Sequence, residues 1–239
     1  MMYHYSQRGV SHCQRGILNQ DAVYALNYNG VEALAVADGV GSCANSDVGS
    51  KFVTEFITLY ACQHFEELAR MSNGELQNLI IKQFEISNPI VDINNALSTL
   101  LLVAKKGSKV LFLQIGDGKI ILVAKGNSSQ VFPDDGLPMN QSYTWHSIPD
   151  CFCKMVLDAK CFNMDFVLLC TDGVYKPDKS PVEFNGGLSY LNLSYTMELY
   201  QINGHLDYQN FIYNIVTATN GKYGDVDDKT AALMVLRYS

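Results

Sequence analysis

Apolar and polar positions alternate along this chain with two different periods. Ala22-Val23-Tyr24-Ala25-Leu26 and the apolar run Val31 to Ala37 read as strands, turned back on each other through Asn27 to Gly30 as a hairpin. With Ser46 as N-cap and Asp47 in the first turn, Val48, Phe52, Val53, Phe56, Ile57, Leu59 and Tyr60 recur at helical spacing. That predicts a helix to about Leu68. Asn73-Gly74 breaks it, and Glu75 to Ile86 predicts a second helix. Pro89 and the run Ile90 to Leu97 predict a third, or the second resumed after a kink. The pattern then changes to strands at 100–104, 109–115 and 119–123, the last two joined by Asp117-Gly118 as a tight hairpin turn. Residues 126–153 hold Pro133, Pro138, Pro149 and the single tryptophan, Trp145, and read as an irregular loop or flap. Strands resume at 154–157 and 165–170. A loop at 174–186, helices at 188–200 and 208–219, and a strand at 230–236 complete the chain. Residues 1–21 are polar and read as extended or loop.

Strands, helices, strands, helices and a strand, without regular βα alternation, disfavour a doubly wound parallel sheet. Two antiparallel sheets with helices outside bury these elements best. There is no internal repeat and no linker, so 1–239 is expected to form a single domain.

Composition narrows the function classes. The 239 residues and 48% hydrophobic content allow a substantial core, and the net charge of −7 argues against a nucleic-acid surface. The seven cysteines include no CxxC pair and mostly sit in apolar runs, as free thiols in a reducing cytoplasm do. Met1 to Arg15 is polar, without the apolar stretch of a signal peptide, and no run is long enough to span a membrane. A cytoplasmic location without membrane or nucleic-acid partners is expected.

The candidate chemistry lies at strand ends. Val36-Ala37-Asp38-Gly39-Val40-Gly41-Ser42 places a carboxylate after a buried strand, and Leu169-Cys170-Thr171-Asp172-Gly173-Val174 repeats the device far downstream. Asp21, Asp117 and the pair Asp227-Asp228 also lie at strand ends or turns. Carboxylates brought together raise one another's pKa, and hard divalent cations such as Mg²⁺ or Mn²⁺ relieve the repulsion. Two such ions about 4 Å apart activate a water toward phosphorus. Each residue also has a plainer reading. Asp38, Asp117 and Asp172 fit Asp-Gly turns, Asp21 a surface loop, Asp227-Asp228 a solvated turn, Arg15 a surface charge, His12 a hydrogen-bonded structural residue, and Trp145 a packing anchor.

Gly9-Val10-Ser11-His12, Asn19-Gln20-Asp21-Ala22, the Asp38 stretch with Gly49-Ser50, Ile115-Gly116-Asp117, Cys170-Thr171-Asp172-Gly173 and Asp227-Asp228-Lys229-Thr230 resemble, in order and spacing, the PPM family, the metal-dependent type 2C Ser/Thr protein phosphatases. The resemblance is closest to its compact bacterial branch. It implies an α+β fold, a four-layer αββα sandwich of two antiparallel β-sheets flanked by helices. It implies two Mn²⁺ or Mg²⁺ ions, with Asp38 bridging them, the Gly39 carbonyl completing one site, Asp172 and Asp227 the other, and Asp21 acting on bound water from outside. A water between the ions would hydrolyse phosphoserine or phosphothreonine on a protein substrate, opposing a Ser/Thr kinase.

The chain departs from that pattern in several places. Gly16 stands where the family often has a phosphate-binding arginine, and Arg15 lies one residue further back. A third ion in the family uses the Asp117 position and a carboxylate that is Lys176 here, which puts that ion in question. Val40 replaces a histidine proton donor found in some members, leaving a water or His12. Asp228 stands where the family usually has Asn. A phosphatase-fold protein that binds a phosphoprotein or signalling partner with little turnover is the alternative. A haloacid-dehalogenase nucleophile would need an Asp two residues before Asp38 or Asp172, where Val36 and Cys170 stand, and a Walker A loop and a Gly-x-Ser-x-Gly elbow are missing from the sequence.

Overall fold

The computed structural model describes residues 1–124, 127–133, 137, 141–174, 201–202, 205–217 and 227–236. The expected helix at 188–200, nearly all of the expected loop at 174–186, and Lys176 lie outside the described residues. In chain order the elements are β1 (Met2–Gln7), α1 (Val10–Arg15), β2 (Ala22–Tyr28), β3 (Val31–Ala37), α2 (Ser46–Arg70), α3 (Asn73–Ser87), β4 (Leu100–Lys106), β5 (Lys109–Ile115) and β6 (Lys119–Ala124). They continue as β7 (Asn127–Gln130), β8 (Cys153–Asp158), α4 (Ala159–Phe162), β9 (Met164–Cys170), β10 (Gln201–Ile202), β11 (His205–Leu206), α5 (Tyr208–Thr217) and β12 (Lys229–Val235).

Two five-stranded sheets form, in the orders β1-β12-β9-β6-β7 and β2-β3-β4-β5-β8, with every pairing antiparallel. Their facing sides interdigitate Leu34, Val36, Leu101, Val103 and Phe112 with Ile120, Val167, Leu169, Ala232 and Met234. Helices α2 and α3 cover the outer side of the second sheet through Val53, Ile57, Leu76, Ile80 and Phe84. Helix α5 covers the first through Phe211, Ile212 and Ile215. This is the expected αββα sandwich, and it explains why the central strands are apolar on both faces.

Local chemistry sets the boundaries. Ser72 and Glu75 close a capping box at the start of α3. Lys154 of β8 lays its ammonium on the Leu68 and Met71 carbonyls at the end of α2, where its charge meets the negative end of the helix dipole.

The fold departs from expectation in five places. Residues 1–21 contain β1 and the short helix α1, because the Tyr3 and Tyr5 side of β1 packs beside α5 while β1 pairs with β12. Asn45, not Ser46, is the N-cap of α2, and Ser46 instead accepts a hydrogen bond from Gln20. The predicted helix at 90–97 is only a 3₁₀ turn, Ile93–Asn95, leading into extended chain. Asp117-Gly118 is no hairpin: β5 and β6 belong to different sheets, so this turn carries the chain across the sandwich. The irregular segment also contributes β7, on the edge of β6.

Register decides what comes together. Ala22 pairs with Ala37, so Asp21 and Asp38 leave the ladder at one end. Leu100 pairs with Ile115, bringing Asp117 to that end of the same sheet. In the other sheet Ala231 pairs with Cys170 and Lys229 with Gln7, so Asp172 and Asp227 leave side by side.

Candidate functional site

The strand ends build the site from backbone outward. The Asp38 amide donates to Thr99 Oγ1 at 2.9 Å, and its carbonyl accepts from the Thr99 amide at 2.8 Å. Gly39 forms a bridge with Ser98, and the Val40 amide donates to the Leu97 carbonyl at 3.0 Å. A Cβ at Gly39 would come within 2.7 Å of the Gln20 carbonyl oxygen, so only glycine fits that turn. Segment 97–99 is thus a strap that fixes the bend carrying Asp38. The buried Trp145 indole donates to Ser98 Oγ at 3.1 Å and anchors the strap, as its packing reading requires.

On the facing sheet, Thr171 precedes Asp172. Its hydroxyl donates to Asp21 Oδ2 at 2.9 Å and accepts from the Thr230 amide at 3.0 Å. Asp21 therefore sits on the seam between the two sheets.

Electrostatics confirm that these groups share one space. Burial, above all, pushes the Asp21 carboxyl up to about 8; the Thr230 and Thr171 hydroxyls oppose the rise, and Asp228 and Asp172 add to it. Asp38 is raised well above the usual carboxylate range, first by desolvation, then by Asp21, Asp172 and Asp227, and by a hydrogen bond shared with Asp172. Asp21, Asp38, Asp172 and Asp227, far apart in sequence, are thus one electrostatic cluster at one end of the sandwich.

Other candidates are placed differently. The Asp117 amide donates to Ser142 Oγ at 3.2 Å, and that hydroxyl donates to Asp117 Oδ1 at 3.0 Å, tying Asp117 to the irregular segment. Arg15 is exposed, with its Nε 3.4 Å from the Ser11 carbonyl oxygen. His12 is buried with Nδ1 2.9 Å from Asp228 Oδ2. Thr99, Thr171, Gln20 and Ser142 were not singled out by the sequence pattern. They act through hydrogen bonds to distant segments, which spacing does not reveal.

Among the described residues no three His, Cys, Asp or Glu side chains stand in a ready-made ligand arrangement. The donors nevertheless fit a hard divalent cation. All are carboxylate or carbonyl oxygens, the carboxylates raise one another's pKa, and Asp21 Oδ1 is buried without a hydrogen-bond partner among the described residues. Residues that would hold ions are Asp38, Asp172 and Asp227.

Comparison with known proteins places the family and the fold. The family profile described as protein phosphatase 2C matches residues 8–206. No curated protein matches the sequence. Among solved structures, the serine/threonine phosphatase of S. agalactiae is similar with a TM-score of 0.69 at 15% identity, covering 99% of both chains. Serine/threonine phosphatase Stp1 from Staphylococcus aureus is similar with a TM-score of 0.68 at 13% identity, covering 99% of this chain and 95% of that one. RsbX, solved in complex with magnesium, is similar with a TM-score of 0.61 at 14% identity, covering 97% and 92%. At these identities the likeness establishes the fold. Among the described residues no helix is long and apolar enough to cross a membrane.

Proposed function

The chain belongs to the protein phosphatase 2C family, and we propose that it removes phosphate from phosphoserine and phosphothreonine in protein substrates, using a water activated between two divalent ions. In class it is a protein-serine/threonine phosphatase. The observation that carries the mechanism is the cluster of Asp21, Asp38, Asp172 and Asp227, where Asp38 feels all three of the others. The magnesium bound in RsbX supports ions of this kind here.

When bound, Mn²⁺ or Mg²⁺ would neutralise the carboxylates and lower the pKa of a water at phosphorus. Asp38, the Gly39 carbonyl, Asp172 and Asp227 would hold the ions, with Asp38 serving both. Asp21, held by Thr171, orders water beside them. Arg15 offers a planar guanidinium to the substrate phosphate from the exposed face of α1. Val40 carries no transferable proton and His12 is buried against Asp228, so solvent protonates the leaving hydroxyl. The substrate is a phosphoprotein made by a Ser/Thr kinase.

The test is hydrolysis of p-nitrophenyl phosphate and a phosphothreonine peptide with Mn²⁺. Both activities should vanish with EDTA and fall at least ~100-fold in Asp172→Asn, since second-metal ligands act on the transition state. Activity that survives EDTA would sink the two-metal mechanism. Absence of turnover with ions bound would favour the reading as a phosphoprotein-binding partner.

A further inference from the structure

We propose that Asp228, with His12 as its partner, is the positioning residue on which the four-carboxylate cluster is assembled; this rests on the two-metal reading above. Its side chain is 1% exposed, and both oxygens are engaged. Oδ1 accepts from the Gly9 amide at 2.7 Å and Oδ2 from the Gln20 amide at 2.6 Å. His12 Nδ1 lies 2.9 Å from Oδ2, at ion-pair distance though off hydrogen-bond alignment, with its side chain 8% exposed.

Each member of the cluster connects to this one residue. Asp227 is its chain neighbour, and the Asp228 amide donates to Asp227 Oδ1 at 3.0 Å. Asp21 follows Gln20, whose amide Asp228 holds. The Gln20 carbonyl then accepts from the Gly39 amide at 3.2 Å and from Ser50 Oγ at 2.6 Å, which carries the connection to Asp38. The Gln20 side chain donates to Ser46 Oγ at 2.6 Å and fixes the same loop to α2. Asp172 joins through Gly173, which lies so close to the Asp228 backbone that a Cβ there would stand 3.0 Å from its carbonyl carbon and nearer still to the oxygen.

The chemistry explains why this position is Asp in this chain. Two backbone amides arrive at one side chain, and a carboxylate presents only acceptors. An Asn could serve one amide with its oxygen, but its NH₂ would face the other amide, donor against donor. A buried amide left without an acceptor is costly. Charge-assisted bonds at 2.6–2.7 Å hold both segments more firmly than neutral ones.

The experiment compares wild type, Asp228→Asn, His12→Gln and the double variant, metal-free and with Mn²⁺, well below each Tm. Amide hydrogen exchange in the metal-free protein reads the bonds directly. Asp228→Asn should speed exchange at Gly9, Gln20 and Gly39 while the amides of β4 stay as they are. Calorimetric titration should show Mn²⁺ binding weakened about 10–100-fold, the usual effect of losing a residue that orients ligands. A role in stability alone would lower Tm and leave that affinity unchanged. The double variant should be no weaker than Asp228→Asn, because His12 acts through the same carboxylate. Wild-type exchange at Gly9 and Gln20 with wild-type Mn²⁺ affinity in Asp228→Asn would overturn the proposal. Should that variant not fold, His12→Gln decides: faster exchange at Gln20 with weaker Mn²⁺ binding supports the proposal, and no change in either overturns it. If wild type binds no Mn²⁺, the metal reading falls. The exchange arm then judges Asp228 by itself: faster exchange at Gly9, Gln20 and Gly39 supports it as the anchor, and wild-type exchange there overturns it.

Discussion

Gly49 and Gly74 both lie in helices, yet Gly→Ala at the two positions is expected to act in opposite directions. Propensity alone favours alanine over glycine inside a helix by about 1 kcal/mol. Nothing lies within 4 Å of a Cβ added at Gly74, in the first turn of α3, so this gain should appear as higher stability. At Gly49 a Cβ would stand 2.6 Å from the Ala96 carbonyl carbon and nearer still to its oxygen. Carbon atoms pack comfortably at about 3.5 Å and the oxygen is closer still, so the helix or the segment at residue 96 must retreat by at least about 1 Å. Overpacking of this kind costs about 1–3 kcal/mol, and backbone on both sides puts the cost at the upper end. The net expectation for Gly49→Ala is a loss of about 2 kcal/mol, or about 4–8 °C in Tm for a chain of this size. The displacement should also reach the chemistry. Residue 96 leads directly into the strap whose Leu97, Ser98 and Thr99 hold the Asp38 turn. A shift of about 1 Å there is expected to lower kcat by about 100-fold. The assays are thermal unfolding of both variants and Mn²⁺-dependent p-nitrophenyl phosphate turnover. A Gly49→Ala protein as stable and as active as wild type would refute the direct seating of α2 on residue 96.

Thr171→Val removes the donor to Asp21 and the acceptor for the Thr230 amide, so urea unfolding should report a loss of about 1–3 kcal/mol; an unchanged midpoint would count against the seam role of Thr171. The metal-free protein should lose stability as pH rises. Asp21 and Asp38 have raised pKa values when folded. Below the ordinary carboxylate range both states carry these protons; from about pH 4 upward the unfolded chain gives them up and the folded one holds them, and the contribution of Asp21 is lost on passing about pH 8. Metal-free Tm should therefore fall from pH 5 to 8 and recover with saturating Mn²⁺, and a metal-free Tm that climbs through this window would contradict the raised carboxyls. Lys154→Met should cost about 1–2 kcal/mol in chemical denaturation by leaving the last carbonyls of α2 without their cation, with turnover unchanged at 25 °C.

Where burial is one- or two-sided and local, the sequence pattern was legible. The runs at 31–37, 109–115 and 165–170 are apolar because helices cover one face and the facing sheet the other, and of the helical stripe Phe52, Val53, Phe56, Ile57 and Tyr60 pack on the core while Leu59 is exposed. β1 was hidden because its Tyr, His and Ser positions mimic a polar loop; pairing with β12, at the other end of the chain, makes it a strand. Asp117-Gly118 suits a hairpin locally, but β5 and β6 find their partners in different sheets, a choice made by long-range pairing. That turn therefore has no hairpin to explain it. The carboxylates could be picked out because each ends a buried strand before a glycine or begins one. Their supports could not. Gln20, Thr99, Thr171 and Asp228 work through bonds to residues dozens to hundreds of positions away; Gln20 and Thr171 stand in the quoted motifs without a role of their own, and the Asp at 228 shows as a departure from the family pattern.

The proposed chemistry turns on Asp38, which would hold two divalent ions where the strand ends meet. Crystals soaked in Mn²⁺ and measured at the manganese edge test it most directly. Two anomalous peaks about 4 Å apart should flank the Asp38 carboxylate, with Asp172 and Asp227 on one of them, and both should be lost in Asp38→Ala. Peaks lying away from these residues, or a pair that persists in Asp38→Ala, would contradict the account.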